Sequence, residues 1–387
     1  MRSIPFFDKA SFYLIAVFAA SFLIALITLE AAAALLFLLW LADPRKFKIS
    51  YNHPVLYLFA AFVLFRIISA AFSPWQEIAW TKITKELLIY FAVPSLWFYL
   101  NISAKDKREN LIRIFFYAGV LVSLYAVVTF GLGLYPRAQS VTSGFATYSN
   151  YTLFILAAGL SAAGFFRLKS FITESLVLTL LMSGIFLSLG RMNIAIAFAM
   201  FLLFIVLGRL TVKTILLTAA MTTVICFTLF NLNTTELSNR AANPAGLSDR
   251  DVLIKEFLSK ADQHPVTGFG PDTFNNVFEK RDQLADKKVS SWHNELIQVY
   301  MESGLPAVLA LLGIYFSILM SGVKSAFRRN SDDDQKLQAG FFFGTGALFL
   351  AVMTSGMIST PDLSLMFVFI TLLYHILKSD NQTVINQ

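Results

Sequence analysis

The chain has 387 residues, of which 57% are apolar and only 14% carry a charged side chain. Soluble domains average about 25% charged residues, and the apolar runs here reach the ~20 residues that cross a bilayer, so a soluble protein is excluded. The net charge of +7 does not indicate nucleic-acid binding, because the basic residues cluster in short connectors between apolar runs. The single cysteine, Cys226, allows no intramolecular disulfide and is expected to be inert packing.

The apolar pattern predicts an all-α polytopic membrane protein of about twelve transmembrane helices, with one large helical loop between spans nine and ten. Basic residues in alternate connectors, as at residues 43–48 and 105–108, indicate the cytoplasmic side by the positive-inside rule. Both termini are then cytoplasmic, and the large loop faces outward, which in a bacterium means the periplasm. No cleavable signal peptide is evident. The predicted regions are spans one to nine in residues 1–230, the loop in 231–292, spans ten to twelve in 293–377, and a cytoplasmic tail in 378–387.

Two expectations concern the first spans. The apolar region at residues 11–41 is too long for one span, and Thr28 and Glu30 interrupt it, so we expect two short helices joined by a tight outer turn. Trp80 lies in a polar segment typical of a membrane interface, and span four is expected to follow at about residues 86–100.

The large polar loop contains its own helix signals. Ser248 and Asp251 form a capping-box-like start before an amphipathic pattern that ends at Pro265,. We expect this helix to lie along the membrane surface or to cap the helix bundle. Pro271 suits the first position of a second short helix, and residues 279–288 read as a solvated charged face.

Three arginines are candidates for binding an anionic group. Arg66 lies within a span, Arg191 at the outer end of span seven, and Arg250 in the first turn of the loop helix. Arginine in a membrane usually faces a cavity or a counter-ion, and guanidinium pairs with phosphate oxygens in a bidentate manner. The alternatives are snorkelling of Arg66 to the interface and a topological anchor at Arg191. The position of Arg191, on the side that positive charges avoid, favours a function.

One histidine, His293, lies where the polar loop meets span ten, beside Asn294. A neutral imidazole at this position could act as a general base near ambient pH. The alternative is an interfacial histidine satisfied by lipid or water. No metal site is predicted, because the cysteine is solitary and no histidine pair has ligand spacing. No cofactor is predicted either, since no phosphate-binding loop occurs.

The stretch SDRDVLIKEFLSKADQHPVTGFGPDTF, followed by WHNELIQVYMESGLPAVL, resembles the shared core of the bacterial O-antigen ligase and O-antigen polymerase superfamily. That pattern comprises an arginine opening a helix, a Pro-x-x-Gly-x-Gly turn, a His-Asn pair and a Glu-x-Gly. It is carried by Arg250, Pro265, Gly268, Gly270, His293, Asn294, Glu302 and Gly304. Two further segments are similar to the family. A Gly-x5-Asn motif ends at Asn150, and a Ser/Thr-x-Arg turn puts Arg191 in register, with Gly190 replacing a more usual residue.

The resemblance implies an inverting glycosyltransferase of the bacterial inner membrane, with its site facing the periplasm. It would transfer a glycan from undecaprenyl diphosphate to a sugar hydroxyl of lipid A-core, without metal or nucleotide sugar. Arg191 and Arg250 would stabilise the diphosphate leaving group, and His293 would take the proton from the acceptor hydroxyl. Candidates for substrate binding are Arg66, Asn150, Asn294, Glu302 and Arg137. Membrane lipids surround such an enzyme, and no nucleic-acid partner is expected.

Several alternatives stay open at this level. A polymerase of the same superfamily performs the same chemistry on a carrier-linked acceptor. The single large loop and the basic balance of the chain favour a ligase over a polymerase. A protein O-glycosylating relative is disfavoured, because no added C-terminal extension is present. A transporter or flippase of twelve spans would place charges near the membrane midplane, whereas polar groups here concentrate on one face apart from Glu30 and Arg66.

Overall fold

The structure is a computed structural model that describes residues 4–232, 250–280, 289–328, 332–357 and 360–385. Within these ranges the chain is helical and contains no β-strand, so the predicted all-α class is confirmed. Twelve of the α-helices have 16 to 32 residues, two shorter ones lie between the ninth and tenth of these, and a 3₁₀ helix covers Pro44–Lys48. The helices are α1 (Pro5–Ser21), α2 (Leu26–Ala42), α3 (Pro54–Phe72), α4 (Gln76–Ile102), α5 (Lys105–Gly131), α6 (Phe145–Ala162), α7 (Phe171–Leu187), α8 (Arg191–Val206), α9 (Val212–Leu232), α10 (Arg250–Lys260), α11 (Phe274–Val277), α12 (Glu295–Ala326), α13 (Asp333–Val352) and α14 (Pro361–Ile385).

The helices have the composition of a multi-pass membrane protein. In the described part of the chain, six are long and apolar enough to cross a bilayer, namely α3, α4, α5, α9, α12 and α14. Three shorter apolar helices are α2, α7 and α8. The number of twelve spans therefore stays a prediction. The last helix continues to Ile385, so residues 378–385 extend α14, and the assignment of residues 378–387 to a cytoplasmic tail stays a prediction.

Burial separates the centre of the bundle from its rim. Helix α6 is buried continuously from Tyr148 to Ala162. In an apolar stretch of 18 residues of α14, 89% of the residues are buried. In contrast, only 22% of the residues are buried in the corresponding stretch of α9. Helices α6 and α14 therefore lie at the centre of the bundle, and α9 lies at its edge.

The expected pair of short helices joined by a tight turn is present as α1 and α2, but the expected interruption at Thr28 and Glu30 and the expected start of span four are wrong. The chain turns at residues 22–25, where Leu23 has a φ of 60° and the N–H groups of Ile24 and Ala25 bond to the carbonyl of Ser21. Thr28 and Glu30 therefore lie inside α2, because single polar side chains facing outward do not interrupt a helix.

Helix α4 also begins earlier than expected, at Gln76. Trp80 is therefore a helical residue, and Glu86 lies near the middle of the helix instead of at its start. Glu86 is buried, which a carboxylate tolerates only with a partner. That partner is Arg66 of α3, at 2.7 Å, and the sequence gives no local sign of this pairing.

The described residues of 250–294, which we call the insert, pack on one end of the bundle, which we call the insert side. The apolar side chains of the insert form a cluster that Met301 of α12 completes. Its buried members are Leu253, Phe269, Phe274, Val277, Phe278, Trp292 and Met301. The insert thus shares its core with the bundle, as expected for a segment too small to fold alone.

The helices of the insert differ from the expectation in their bounds. Helix α10 begins at Arg250 and ends at Lys260, before Pro265. Ser248, half of the expected capping box, lies outside the described residues. Helix α11 begins at Phe274, so Pro271 precedes it and does not occupy its first turn. Most of the charged segment at 279–288 also lies outside the described residues.

Candidate active site

Helix α12 is broken at Gly304, and the break receives the glycine turn of the insert. Gly304 has a φ of 74°, and Pro306 has no N–H to donate to the carbonyl of Glu302 four residues earlier. The carbonyls of Met301 and Glu302 instead accept hydrogen bonds from the N–H groups of Phe269 (2.7 Å) and Gly270 (3.1 Å). The two motifs singled out in the sequence are therefore in direct contact.

Two glycines make this contact possible. A Cβ at Gly268 would lie 2.4 Å from the Ser303 backbone nitrogen, and one at Gly304 would lie 2.0 Å from the carbonyl oxygen of Val266. Both residues also have positive φ, which side chains other than glycine rarely adopt,. The glycines of the motif therefore allow two backbones to approach, and they do not line an open surface.

Arg66 lies in a buried cluster of charges beside this break. Its guanidinium donates to both carboxylate oxygens of Glu86, at 2.9 and 2.7 Å, and to Glu302 at 3.1 Å. The second carboxylate oxygen of Glu302 accepts from the N–H of Asp272 at 3.1 Å. The side chain of Arg66 is wholly buried. The cluster thus ties α3, α4, α12 and the insert together.

Arg66 and Glu302 were assigned to substrate binding from the sequence, and that role stays a prediction. In the structure, their polar atoms bond to each other and to protein neighbours. Lys82 lies 3.8 Å from Glu86, so two cations accompany the two carboxylates. The alternative prediction that Arg66 snorkels to the membrane interface is wrong, because no part of this side chain reaches the surface.

Arg191, Arg250 and His293 form a second polar group on the insert side. Arg191 begins α8 directly after a tight turn in which Leu189 has a φ of 57°. Arg250 begins α10, and its guanidinium donates to the carbonyl of Thr354 at 3.0 Å. Burial, followed by the positive charge of Arg191, lowers the pKa of Arg250. The two arginines are therefore electrostatic neighbours, although 59 positions separate them in the sequence.

His293 completes this group, which we call the Arg-His cluster (Arg191, Arg250 and His293). Burial and the charge of Arg250 lower the pKa of His293 from its usual value of 6.5. The residue has a φ of 49°, and its Nδ1 lies 3.5 Å from the hydroxyl of Ser291. Because both causes disfavour the imidazolium, the ring is neutral near pH 7 and can accept a proton.

Asn294 shapes the backbone next to His293. Its side-chain oxygen accepts the N–H of Ile297 at 3.1 Å, which caps α12, and its amide donates to the carbonyl of Met353 at 3.0 Å. Asparagine is a favoured N-cap because it satisfies an otherwise unpaired N–H. The structure therefore gives Asn294 a capping contact, and its assignment to substrate binding stays a prediction.

The turn at residues 353–357, between α13 and α14, holds several of these side chains. It accepts from Arg250 and Asn294 as described, the hydroxyl of Ser355 accepts from Asn150 at 2.8 Å, and the N–H of Met357 donates to Glu295 at 2.5 Å. Asn150 in turn accepts from Asn193, which follows Arg191 in α8, at 2.8 Å. We call this segment the 353–357 turn.

Sequence reasoning missed the function of this turn. No sequence signal marks it, because backbone carbonyls, which every residue has, make two of its contacts. Asn150 was assigned to substrate binding, and here it bridges α8 and the turn. The last candidate, Arg137, lies in the loop between α5 and α6, with its guanidinium 4.2 Å from the ring centroid of Phe145.

The fold and these contacts define a multi-pass membrane protein that gathers two arginines and a neutral histidine on one side of its bundle. Residues 175–312 match the family model described as O-antigen ligase. This match bears out the resemblance to the O-antigen ligase superfamily, and the matched residues include the Arg-His cluster, Glu302 and the break at Gly304. A search of curated proteins finds no significant match. The match supports a function of the O-antigen ligase or polymerase type in general.

Proposed function

We propose that the protein is a lipid-linked glycan ligase that transfers a glycan from undecaprenyl diphosphate to a sugar hydroxyl of lipid A-core. The observation that carries this proposal is the Arg-His cluster, in which Arg250 lies close enough to interact electrostatically with both Arg191 and His293, and the pKa of His293 is lowered. A diphosphate needs cations, and an acceptor hydroxyl needs a base. The cluster supplies both within the segment that matches the family.

The reaction follows from these roles. The acceptor oxygen attacks the anomeric carbon of the donor sugar from the face opposite the diphosphate, so that configuration inverts. The bond between that carbon and the diphosphate oxygen breaks, and its electron pair stays on undecaprenyl diphosphate. Arg191 and Arg250 stabilise this charge, and the imidazole of His293 takes the proton of the hydroxyl.

The magnitudes agree with these assignments. A positioned general base contributes about 10²–10⁴-fold to a rate. Loss of one charge-stabilising donor typically costs about 2.7–4 kcal/mol of transition-state stabilisation. We therefore expect His293→Ala, Arg250→Ala and Arg191→Ala each to reduce transfer at least about 100-fold, while the proteins still insert into the membrane.

The setting of the reaction is part of the proposal. The insert side faces the periplasm of a bacterial inner membrane, and both termini are cytoplasmic. The distribution of basic connectors supports this orientation. The donor carrier and the lipid A-core acceptor both reach the cluster from the membrane.

A direct test is transfer by the purified protein in proteoliposomes, with a carrier-linked glycan as donor. Lipid A-core and the carrier-linked repeat are offered together as competing acceptors, with and without EDTA. Glycan on lipid A-core, unaffected by the chelator and lost in His293→Ala, supports the proposal. Exclusive extension of the carrier-linked repeat would establish a polymerase, and movement of the carrier across the bilayer without transfer would establish a flippase.

A further inference from the structure

The outer surface of the insert carries apolar side chains that its own core does not cover. Leu258 in α10 is 67% exposed, Val266 in the following turn is 62% exposed, and Ile254, one helical turn before Leu258, is 47% exposed. Leucine, isoleucine and valine are usually buried in aqueous surroundings. Ile254 and Leu258 adjoin on one face of α10, and exposed apolar residues that lie together on a surface indicate a contact with something apolar.

The position of these residues around α10 gives the direction of that contact. Successive residues of an α-helix are rotated by about 100°. Ile254 and Leu258 therefore lie between two stripes. The stripe that contains Phe257 packs on Tyr300 of α12, with ring centroids 5.7 Å apart. The stripe on the other side consists of Asp251, Lys255 and Ser259, all exposed. The apolar flank of α10 thus adjoins the side that packs on α12, and the charged flank lies farther from α12.

Val266 continues this surface onto a membrane helix. Leu305 of α12 donates its N–H to the carbonyl of Pro265 at 2.8 Å, so Val266 adjoins Leu305. Leu305 and the next residue on the same face, Leu309, are 48% and 59% exposed. Helix α12 is among the helices that are long and apolar enough to span a membrane. Its exposed leucines therefore belong to the surface that lipid covers, and Val266 is contiguous with them.

The length of α12 gives the level at which this surface lies. The part of α12 after the break, residues 305–326, extends about 33 Å at 1.5 Å per residue, which is close to the ~30 Å thickness of the hydrocarbon core of a bilayer. The basic residue Lys324, near the far end, fixes the opposite boundary. About 20 residues from Lys324 leads back to Gly304 and Leu305. The break in α12 and the adjoining Val266 thus fall at the boundary between acyl chains and headgroups.

We propose that Ile254, Leu258 and Val266 form a lipid-contact surface that seats the insert on the bilayer, with acyl chains and headgroups of the leaflet on the insert side as its partner. We call these three residues the lipid-contact surface. It fixes the depth of α10, and therefore of Arg250 at the start of that helix. The proposal requires a membrane-embedded chain, but it does not require the proposed glycan transfer.

Site-directed fluorescence tests this surface without any glycan substrate. The native thiol Cys226 is removed as Cys226→Ser, and Leu258→Cys is labelled with an environment-sensitive fluorophore in phosphatidylcholine proteoliposomes. The matched control is Ser259→Cys, which is the next residue, is also exposed, and points about 100° away. Leu309→Cys gives the signal of a fully lipid-facing position. Equal elution of all variants in size-exclusion chromatography establishes that each is folded.

We expect lipids spin-labelled near the headgroup to quench Leu258→Cys at least half as strongly as Leu309→Cys, with a blue-shifted emission. Ser259→Cys should be quenched at most a quarter as strongly. Equal, weak quenching at positions 258 and 259 would overturn the proposal. It would also be overturned if Leu258→Cys formed disulfide-linked dimers at low protein-to-lipid ratio in place of quenching, since a second copy would then cover the surface. If the lipids quench Leu258→Cys as expected but the wild-type protein shows no glycan transfer, the result would count against the proposed function alone.

Discussion

The backbone carbonyl of Glu302 accepts a hydrogen bond from the N–H of Gly270, at 3.1 Å, across the boundary between the insert and the bundle. In a continuous helix this carbonyl would bond to the residue at position 306, which is a proline without an N–H. The proline that breaks α12 therefore frees the acceptor that holds the turn. Two motifs that are more than 30 residues apart in the sequence thus form one contact between the insert and the bundle.

Gly304→Ala should destabilise this contact between the insert and the bundle. The substitution places a Cβ 2.0 Å from the carbonyl oxygen of Val266 at a φ of 74°. We expect a loss of at least about 1–3 kcal/mol, the range for a residue forced into a disfavoured backbone conformation, and a lower midpoint of thermal unfolding in detergent. The control is Gly346→Ala in α13, where the nearest atom is 3.8 Å from the new Cβ. Similar midpoints for the two variants would contradict the role of the break.

Arg66→Met separates a structural role of Arg66 from substrate binding. The variant leaves Glu86 and Glu302 buried near each other without their shared cation. Removing one partner of a buried ion pair typically costs about 3–5 kcal/mol, so the unfolding midpoint should fall strongly without substrate. The control is Lys105→Ala, which breaks a 2.6 Å ion pair with Asp334 whose lysine is 48% exposed and should cost at most about 1 kcal/mol. An unchanged midpoint together with a raised KM for the donor would instead support substrate binding by Arg66.

The comparison of sequence with structure separates two kinds of information. The apolar runs and the ordered motif predict the helices, the insert, and the importance of Arg191, Arg250 and His293, because each carries a local signal. The pairing of Glu86 with Arg66 has no such signal. Glu86 follows a polar segment with nearby lysines and reads as an interface residue until α3 and α4 pack together. Its burial is a property of the tertiary structure alone.

The 353–357 turn is a second feature that the sequence conceals. Two of its contacts use main-chain carbonyls, of Met353 and Thr354, and a carbonyl has no identity in a sequence. For Asn150 the situation is reversed. Its position in a sequence motif marks it as a candidate, but the motif does not identify its hydrogen-bond partner. The structure supplies that partner in Ser355.

Asn150→Ala should weaken the support of the Arg-His cluster without removing any member of it. The substitution deletes the bond to Ser355 and one of the two acceptors of the Asn193 amide, and a buried group left without a partner costs about 1–3 kcal/mol. We expect kcat to fall about tenfold, equivalent to about 1.4 kcal/mol, with a smaller change in the KM for the donor. Asn101→Ala is the matched control, since that amide donates to the carbonyl of Trp97 at 2.8 Å within α4. Equal kcat values for the two variants would exclude a positioning role for Asn150.

The pH dependence of transfer should report the protonation state of His293. Burial and the charge of Arg250 lower its pKa from 6.5, so the neutral, proton-accepting form persists as the solution becomes more acidic. We expect kcat/KM to be constant around neutral pH and to fall only below pH 6.5, with a midpoint beneath the ordinary histidine value. In Arg250→Gln, the residual activity should begin to fall at a higher pH than that of the wild type. The reason is that one of the two causes of the lowered pKa of His293 is gone. His264→Gln, which changes a histidine whose ring lies 4.6 Å from that of Phe269, should leave the profile unchanged. A wild-type midpoint above 6.5, or an acid limb that survives in His293→Ala, would assign the base to another residue.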